Sequence, residues 1–117
     1  MEFVGKNPRN IYGTLHFAID GKHKSDGGKI ETDKPYDDFH IYAIEWYPDR
    51  VDFFFDDKKY HTVLLDKVGK GPDNPFRKPH YLKLNFALGG EWGGAIDDSV
   101  LPQKFLIDYV RVYKAKG

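Results

Sequence analysis

Residues 42–46 read YAIEW and residues 51–55 read VDFFF, and the four residues between them, 47–50, read YPDR. Both runs are rich in β-branched and aromatic side chains, which favour strands. The Pro and Asp between the runs are typical turn residues. Residues 42–55 therefore predict a β-hairpin, and this hairpin sets the expectation for the rest of the chain.

Three further runs have strand-like composition or alternate apolar and polar residues with a period of two, which also predicts strands. They read IYGTLHFAI at 11–19, YLKLNFAL at 81–88 and FLIDYVRVY at 105–113. The segments rich in Gly, Pro and Asp are predicted loops: residues 20–28, 70–75 and 89–94. No segment sustains the apolar period of a helix. The pattern predicts one all-β unit, a sandwich or a barrel.

Composition excludes several classes of protein. Aromatic residues make up 16% of the 117 residues, so the chain has large apolar side chains to bury and is not predicted to be disordered. Lys and Arg balance Asp and Glu at 18 each, without a basic cluster, which argues against nucleic acid as a partner. No apolar stretch is long enough to cross a membrane, and no signal peptide opens the sequence. Cys is absent, which excludes disulfides and thiolate sites.

Four segments, taken in order and with their spacing, resemble the laminarinase-type branch of glycoside hydrolase family 16. They read YGTLHF at 12–17, DFHIYAIEW at 38–46, LNFALGGEW at 84–92 and IDYVRVY at 107–113. The resemblance covers nearly the whole chain. It implies a β-sandwich jelly roll of the concanavalin A-like type, with residues 1–117 as a single partial domain.

The first residues resemble the end of that family's catalytic signature, a strand that reads Glu, aliphatic, Asp, apolar, apolar, Glu. Met1 and Glu2 match its last two positions, so the resemblance implies that Glu2 is the general acid/base. The nucleophilic Glu would then precede residue 1, and the jelly roll would be incomplete at its N-terminus. Glu91, on a glycine-rich loop, is the alternative second carboxylate.

The resemblance and the residue pattern also indicate binding residues. His16 matches a family position that lines the cleft. Trp92 lies between two glycine pairs, and its indole is the best candidate to stack on a sugar ring, whereas Asn85 lies on the polar face of its run. Trp46 is predicted to belong to the core. Asp108 matches a position that holds a structural Ca²⁺ in many members of the family, whereas catalysis needs no cofactor.

These inferences lead to a main hypothesis and two alternatives. The main hypothesis is a secreted retaining endo-glucanase that acts on β-1,3- or mixed β-1,3/1,4-glucan, although the isolated chain lacks the nucleophile. The alternatives are a non-catalytic glycan-binding jelly-roll module and a truncated product without independent function. The expected partner is a β-glucan polysaccharide or oligosaccharide. Self-association through exposed sheet edges is also expected.

Overall fold

The computed structural model describes residues 1–116, and two compact units divide the chain after Lys83. The first unit, residues 1–83, begins with a three-stranded antiparallel sheet, sheet A. Its strands are β1 (Glu2–Phe3), β2 (Asn10–Ile19) and β3 (Lys22–Glu31), in the order β1-β2-β3. Strands β2 and β3 pair along their whole length, from Asn10 opposite Glu31 to Ile19 opposite Lys22.

A second three-stranded antiparallel sheet, sheet B, follows in the same unit. It consists of β4 (Tyr42–Trp46), β5 (Arg50–Phe55) and β6 (Lys58–Leu64), in that order. Strands β4 and β5 form the hairpin that their sequence predicts, with Tyr42 opposite Phe55. Three short 3₁₀ turns end the unit: Leu65–Lys67, Gly71–Asp73 and Pro75–Arg77.

The segment 20–28 is not the loop that its composition predicts. The turn is confined to Asp20 and Gly21, which both have positive φ, as a two-residue hairpin turn requires. Strand β3 then starts at Lys22 and continues through Gly27 and Gly28. These two glycines serve close packing, because a Cβ at Gly28 would lie 2.6 Å from the His61 ring.

The core of the first unit lies where sheet A meets sheet B. Val51, Phe53 and Val63 of sheet B are at most 3% exposed, and the adjoining Leu65 is fully buried. Leu15 and Phe17 of β2 pack against this cluster. The two sheets approach each other closely at Gly13, where a Cβ would lie 2.5 Å from both Phe53 and Tyr60.

The second unit, residues 84–117, contains the short helix α1 (Gly90–Gly93) and a 3₁₀ turn at Asp98–Val100, but no strand among its residues up to 116. The predicted strands at 81–88 and 105–113 are therefore wrong for this structure. A strand needs a partner for its backbone hydrogen bonds, and neither run is paired with one. Their apolar side chains remain exposed, including Leu84 at 52% and Phe86 at 54%.

The all-β class is confirmed by the two sheets and by the near-absence of helix. No helix within residues 1–116 is long and apolar enough to cross a membrane. The single partial domain over 1–117 remains a prediction.

Candidate active site

Strand register brings two of the predicted site residues onto one face of sheet A. Glu2 lies opposite Tyr12, and Tyr12 lies opposite Lys29 on β3. Residues opposite each other on neighbouring strands project to the same side, and so do residues two positions apart on one strand. Tyr12 and His16 are four apart on β2, so Glu2 and His16 share a face. We call it the exposed face of sheet A.

The other face of sheet A is turned towards the core, which explains why the exposed face carries the polar groups. Ile11 is fully buried on the core side, and Leu15 and Phe17 follow it at the period of a strand. Thr14, between Ile11 and Leu15 in the sequence, projects to the exposed face and lies opposite Gly27. A shallow depression on this side is lined by Tyr12, Thr14, Ser25, Gly27, Gly28 and Lys29.

Sheet A contains two acidic residues besides Glu2. Asp26 pairs with Leu15 and therefore belongs to the core side, where its Oδ1 lies 2.9 Å from Nε2 of His61. Glu31 projects from the exposed face, but its strand lies two strand spacings from β1, about 10 Å. Its carboxylate is 3.3 Å from the Arg9 guanidinium. Sheet A therefore supplies no second carboxylate beside Glu2 on the exposed face.

His16 contacts a histidine that sequence reasoning missed. Its Nδ1 lies 3.1 Å from Nε2 of His23, and the two rings are 5.3 Å apart. Strand β3 carries His23 opposite Ala18, on the same face as His16. The sequence does carry a signal for this contact. If the residues after the turn at Asp20 and Gly21 had been interpreted as a strand, the alternation of side chains would have placed His23 on the same face as His16.

The other two predicted binding residues belong to the second unit. Asn85 is exposed in a segment without helix or strand, and Trp92 is 45% exposed. Trp92 lies in α1, so the prediction that residues 89–94 form a loop is wrong for Gly90–Gly93. The helix is a single turn, closed by a 2.8 Å bond from the Gly94 N–H to the Gly90 carbonyl, and Gly89 enters it with a φ of 70°.

The calcium position implied for Asp108 does not gather acidic ligands here. Asp108 is exposed in the second unit. Within residues 1–116, no three side chains of His, Cys, Asp or Glu come together as metal ligands. Calcium is usually held by six to eight oxygen atoms, several of them from carboxylates. The described residues offer Asp108 no cluster of carboxylate partners, and calcium at this position stays a prediction.

Trp46 is 45% exposed, so the prediction that it belongs to the core is wrong. It ends β4, which lies at the edge of sheet B, and its indole makes an edge contact with His80 at 5.4 Å. Together with Tyr47, Phe76 and Arg77, among others, it lines a second open hollow.

Asp52 is the buried acid of the first unit, and its surroundings point to a structural role. Its side chain is 2% exposed on β5. Thr62 Oγ1 donates to it at 2.6 Å, Arg50 Nε donates at 3.1 Å, and Lys59 Nζ lies 3.7 Å away. Burial would raise the pKa of Asp52, but these hydrogen bonds and charges outweigh burial and hold the pKa below its ordinary value.

Comparison with known proteins shows the family to which this all-β chain is similar. The model of glycosyl hydrolases family 16 matches residues 1–111. A beta-glucanase of Rhodothermus marinus is 38% identical over 97% of this chain and 43% of its own length. A glucan endo-1,3-beta-glucosidase of Cryptopygus antarcticus is 35% identical over 94% of this chain and 46% of its own length.

The chain is also similar to a solved structure. It comes from work on endo-acting O-glycanases that members of the human gut microbiota express to initiate mucin breakdown. It is 33% identical, with a TM-score of 0.59, over 66% of this chain and 30% of that chain. The chain belongs to glycosyl hydrolases family 16, whose jelly-roll fold is consistent with the sheets described above. It spans less than half the length of the two curated relatives named above.

Proposed function

We propose that this chain carries the acid/base part of a retaining endo-β-glucanase active site. Glu2 protonates the oxygen of the leaving sugar, and His16 lies along the substrate on the same side. The observation that carries the proposal is the shared exposed face of sheet A, which the pairing of Glu2 with Tyr12 and the spacing from Tyr12 to His16 create.

A retaining glycosidase needs a second carboxyl, about 5–5.5 Å from the acid, to attack the anomeric carbon. Within sheet A, Asp26 projects to the other face and Glu31 is two strands away. We assign the nucleophile to a residue outside this 117-residue sequence, as the resemblance of Met1 and Glu2 to the end of the family's catalytic signature implies. By this proposal the isolated chain does not hydrolyse glucan on its own.

The substrate we propose is a β-1,3- or mixed β-1,3/1,4-glucan. Three of the relatives, which are 32–38% identical, are named beta-glucanase or glucan endo-1,3-beta-glucosidase. Trp92 would stack on a sugar ring, because its indole is half-exposed. Asn85, exposed in the same unit, would bind sugar hydroxyls. Such a polymer is met outside the cell, so we propose that the whole protein is secreted.

The proposal is tested by supplying the nucleophile on a second polypeptide. The chain is co-expressed with the portion of the Rhodothermus marinus beta-glucanase that it does not match, and release of reducing sugar from laminarin and lichenan is measured. We expect activity from the pair and background from the chain alone. Glu2→Gln should lower the activity of the pair by about a thousandfold or more, since it removes one member of a catalytic set.

Glu31→Gln is the matched control, because Glu31 is an exposed acid on the same face of sheet A. It should leave the activity of the pair within about twofold, since its partner Arg9 is a surface residue. Equal losses in Glu2→Gln and Glu31→Gln would contradict the assignment of Glu2. Activity of the chain alone that Glu2→Gln abolishes would contradict the assignment of the nucleophile.

A second candidate is a non-catalytic glycan-binding module. A beta-1,3-glucan-binding protein of Penaeus monodon is 37% identical over 49% of this chain and 20% of its own length. This candidate predicts retarded migration of the chain in laminarin-containing gels and no activity of the complemented pair. Trp92→Ala should abolish the retardation while the melting temperature stays unchanged.

A further inference from the structure

The histidine pair on sheet A has the geometry of a chelate. His16 lies opposite Ser25, and Ala18 lies opposite His23, so the two histidines are diagonal neighbours on one face. Their nearest ring nitrogens, Nδ1 of His16 and Nε2 of His23, are 3.1 Å apart. Both residues are exposed.

The separation of these nitrogens suits a common metal ion. Imidazole nitrogen binds Zn²⁺, Cu²⁺ and Ni²⁺, with bonds of about 2.0–2.1 Å to zinc. Two nitrogens on one ion are then about 2.9 Å apart at a right angle and about 3.4 Å apart at a tetrahedral angle. The observed 3.1 Å lies between these values. This contact is a hydrogen bond in the structure, so the donor ring would carry its proton on its other nitrogen when both nitrogens bind one ion.

The backbone places the two histidines next to each other before any ligand binds. Strands β2 and β3 pair at ten successive positions, joined by the tight turn of Asp20 and Gly21. The histidines are not needed to fix this register, because the backbone ladder already does so. Within residues 1–116, the remaining nitrogen of each ring makes no hydrogen bond.

We propose that His16 and His23 form a two-histidine site for a divalent transition-metal ion. The described residues offer no third ligand side chain at this position, so water completes the coordination. Glu2 is not a ligand, because Tyr12, which lies opposite it, is four residues from His16, about 13 Å along the strand. Affinity follows the order Cu²⁺ above Ni²⁺, with Zn²⁺ below Cu²⁺. The site does not depend on the proposed glucanase function.

Copper(II) titration of the complete chain tests the site. Calorimetry should give one Cu²⁺ per chain, and electron paramagnetic resonance should report two nitrogen ligands. His16→Ala and His23→Ala should each weaken binding by about a hundredfold, because either change turns a preorganised pair into a single ligand. His80→Ala is the control, since His80 is an exposed histidine of the same unit, and it should bind as the unchanged chain does.

A second measurement needs no variant. In the unchanged chain labelled at histidine, Cu²⁺ should first broaden the nuclear magnetic resonance signals of the His16 and His23 rings. Binding that survives in both His16→Ala and His23→Ala would overturn the proposal. So would broadening that begins at the amino terminus or at His80.

Discussion

The two units of the chain contain similar sequence patterns but differ in how their backbones are paired. In residues 1–83, six strands form two sheets, and Val63 and Leu65 of their common core are fully buried. In residues 84–116, the run at 105–113 is as apolar as β5, yet it pairs with no strand and Val112 is 88% exposed. An alternating pattern therefore expresses a preference for a strand, and only a partner turns the preference into burial.

The largest expected difference between the units concerns apolar truncation. Leu65→Ala should lower the free energy of unfolding by about 3 kcal/mol, because Leu65 is fully buried in the core cluster. Leu84→Ala makes the same chemical change at a side chain that is 52% exposed and should cost less than about 1 kcal/mol. Urea denaturation of both variants measures the two changes in the free energy of unfolding. Equal losses would mean that the second unit has a core of its own in solution.

A smaller difference is expected when an acid is neutralised in each unit. Asp52→Asn should cost about 2 kcal/mol, because the buried side chain loses charge-assisted bonds from Arg50 and Thr62. Asp108→Asn changes an exposed acid and should stay within about 0.5 kcal/mol. The free energies come from the same urea titrations. A cost at Asp108 as large as that at Asp52 would reveal a partner for Asp108 in solution.

Low pH should reduce the loss of stability that Asp52→Asn causes. The folded pKa of Asp52 lies below its unfolded value of about 3.9, so its contribution is fully present above that pH. The contribution is lost as the pH falls through the folded pKa. The unchanged chain should therefore lose stability below about pH 4 more steeply than Asp52→Asn does. Parallel curves down to pH 2 would contradict the depressed pKa.

The smallest expected effect lies between the two sheets of the first unit. Asp26 on β3 and His61 on β6 are 2.9 Å apart, with side chains that are 38% and 21% exposed. A double-mutant cycle with Asp26→Ala and His61→Ala should give a coupling of about 0.5 kcal/mol, because solvent screens a half-exposed pair. The matched cycle is Arg9 with Glu31, whose side chains are more exposed, and its coupling should be smaller still. A larger coupling for the Arg9–Glu31 pair would contradict this order.

Some elements could be predicted from the sequence because a local signal determines them. The hairpin of residues 42–55 follows from two β-rich runs and a Pro-Asp turn. Strand β3 could not be predicted in this way, because KHKSDGGKIE carries one aliphatic residue and depends on pairing with β2. The runs at 81–88 and 105–113 fail for the opposite reason, since they have the pattern and lack the partner.

The candidate site shows the same division. Glu2 and His16 could be named from the sequence, but their common face depends on the register that sets Glu2 opposite Tyr12. His23 could not be named, because its contact with His16 exists only once β3 is recognised as a strand.

The two tryptophans divide evenly between the units, and this gives the protein two optical reporters. Trp46 belongs to the first unit and Trp92 to the second, and each is 45% exposed. In Trp92→Phe, the indole fluorescence would come from the end of β4 alone, and in Trp46→Phe it would come from α1 alone. Comparing the emission of the two variants during one denaturant titration would therefore follow each unit separately. Coincident midpoints would mean that both units unfold in one cooperative step, and separate midpoints would give each unit its own stability.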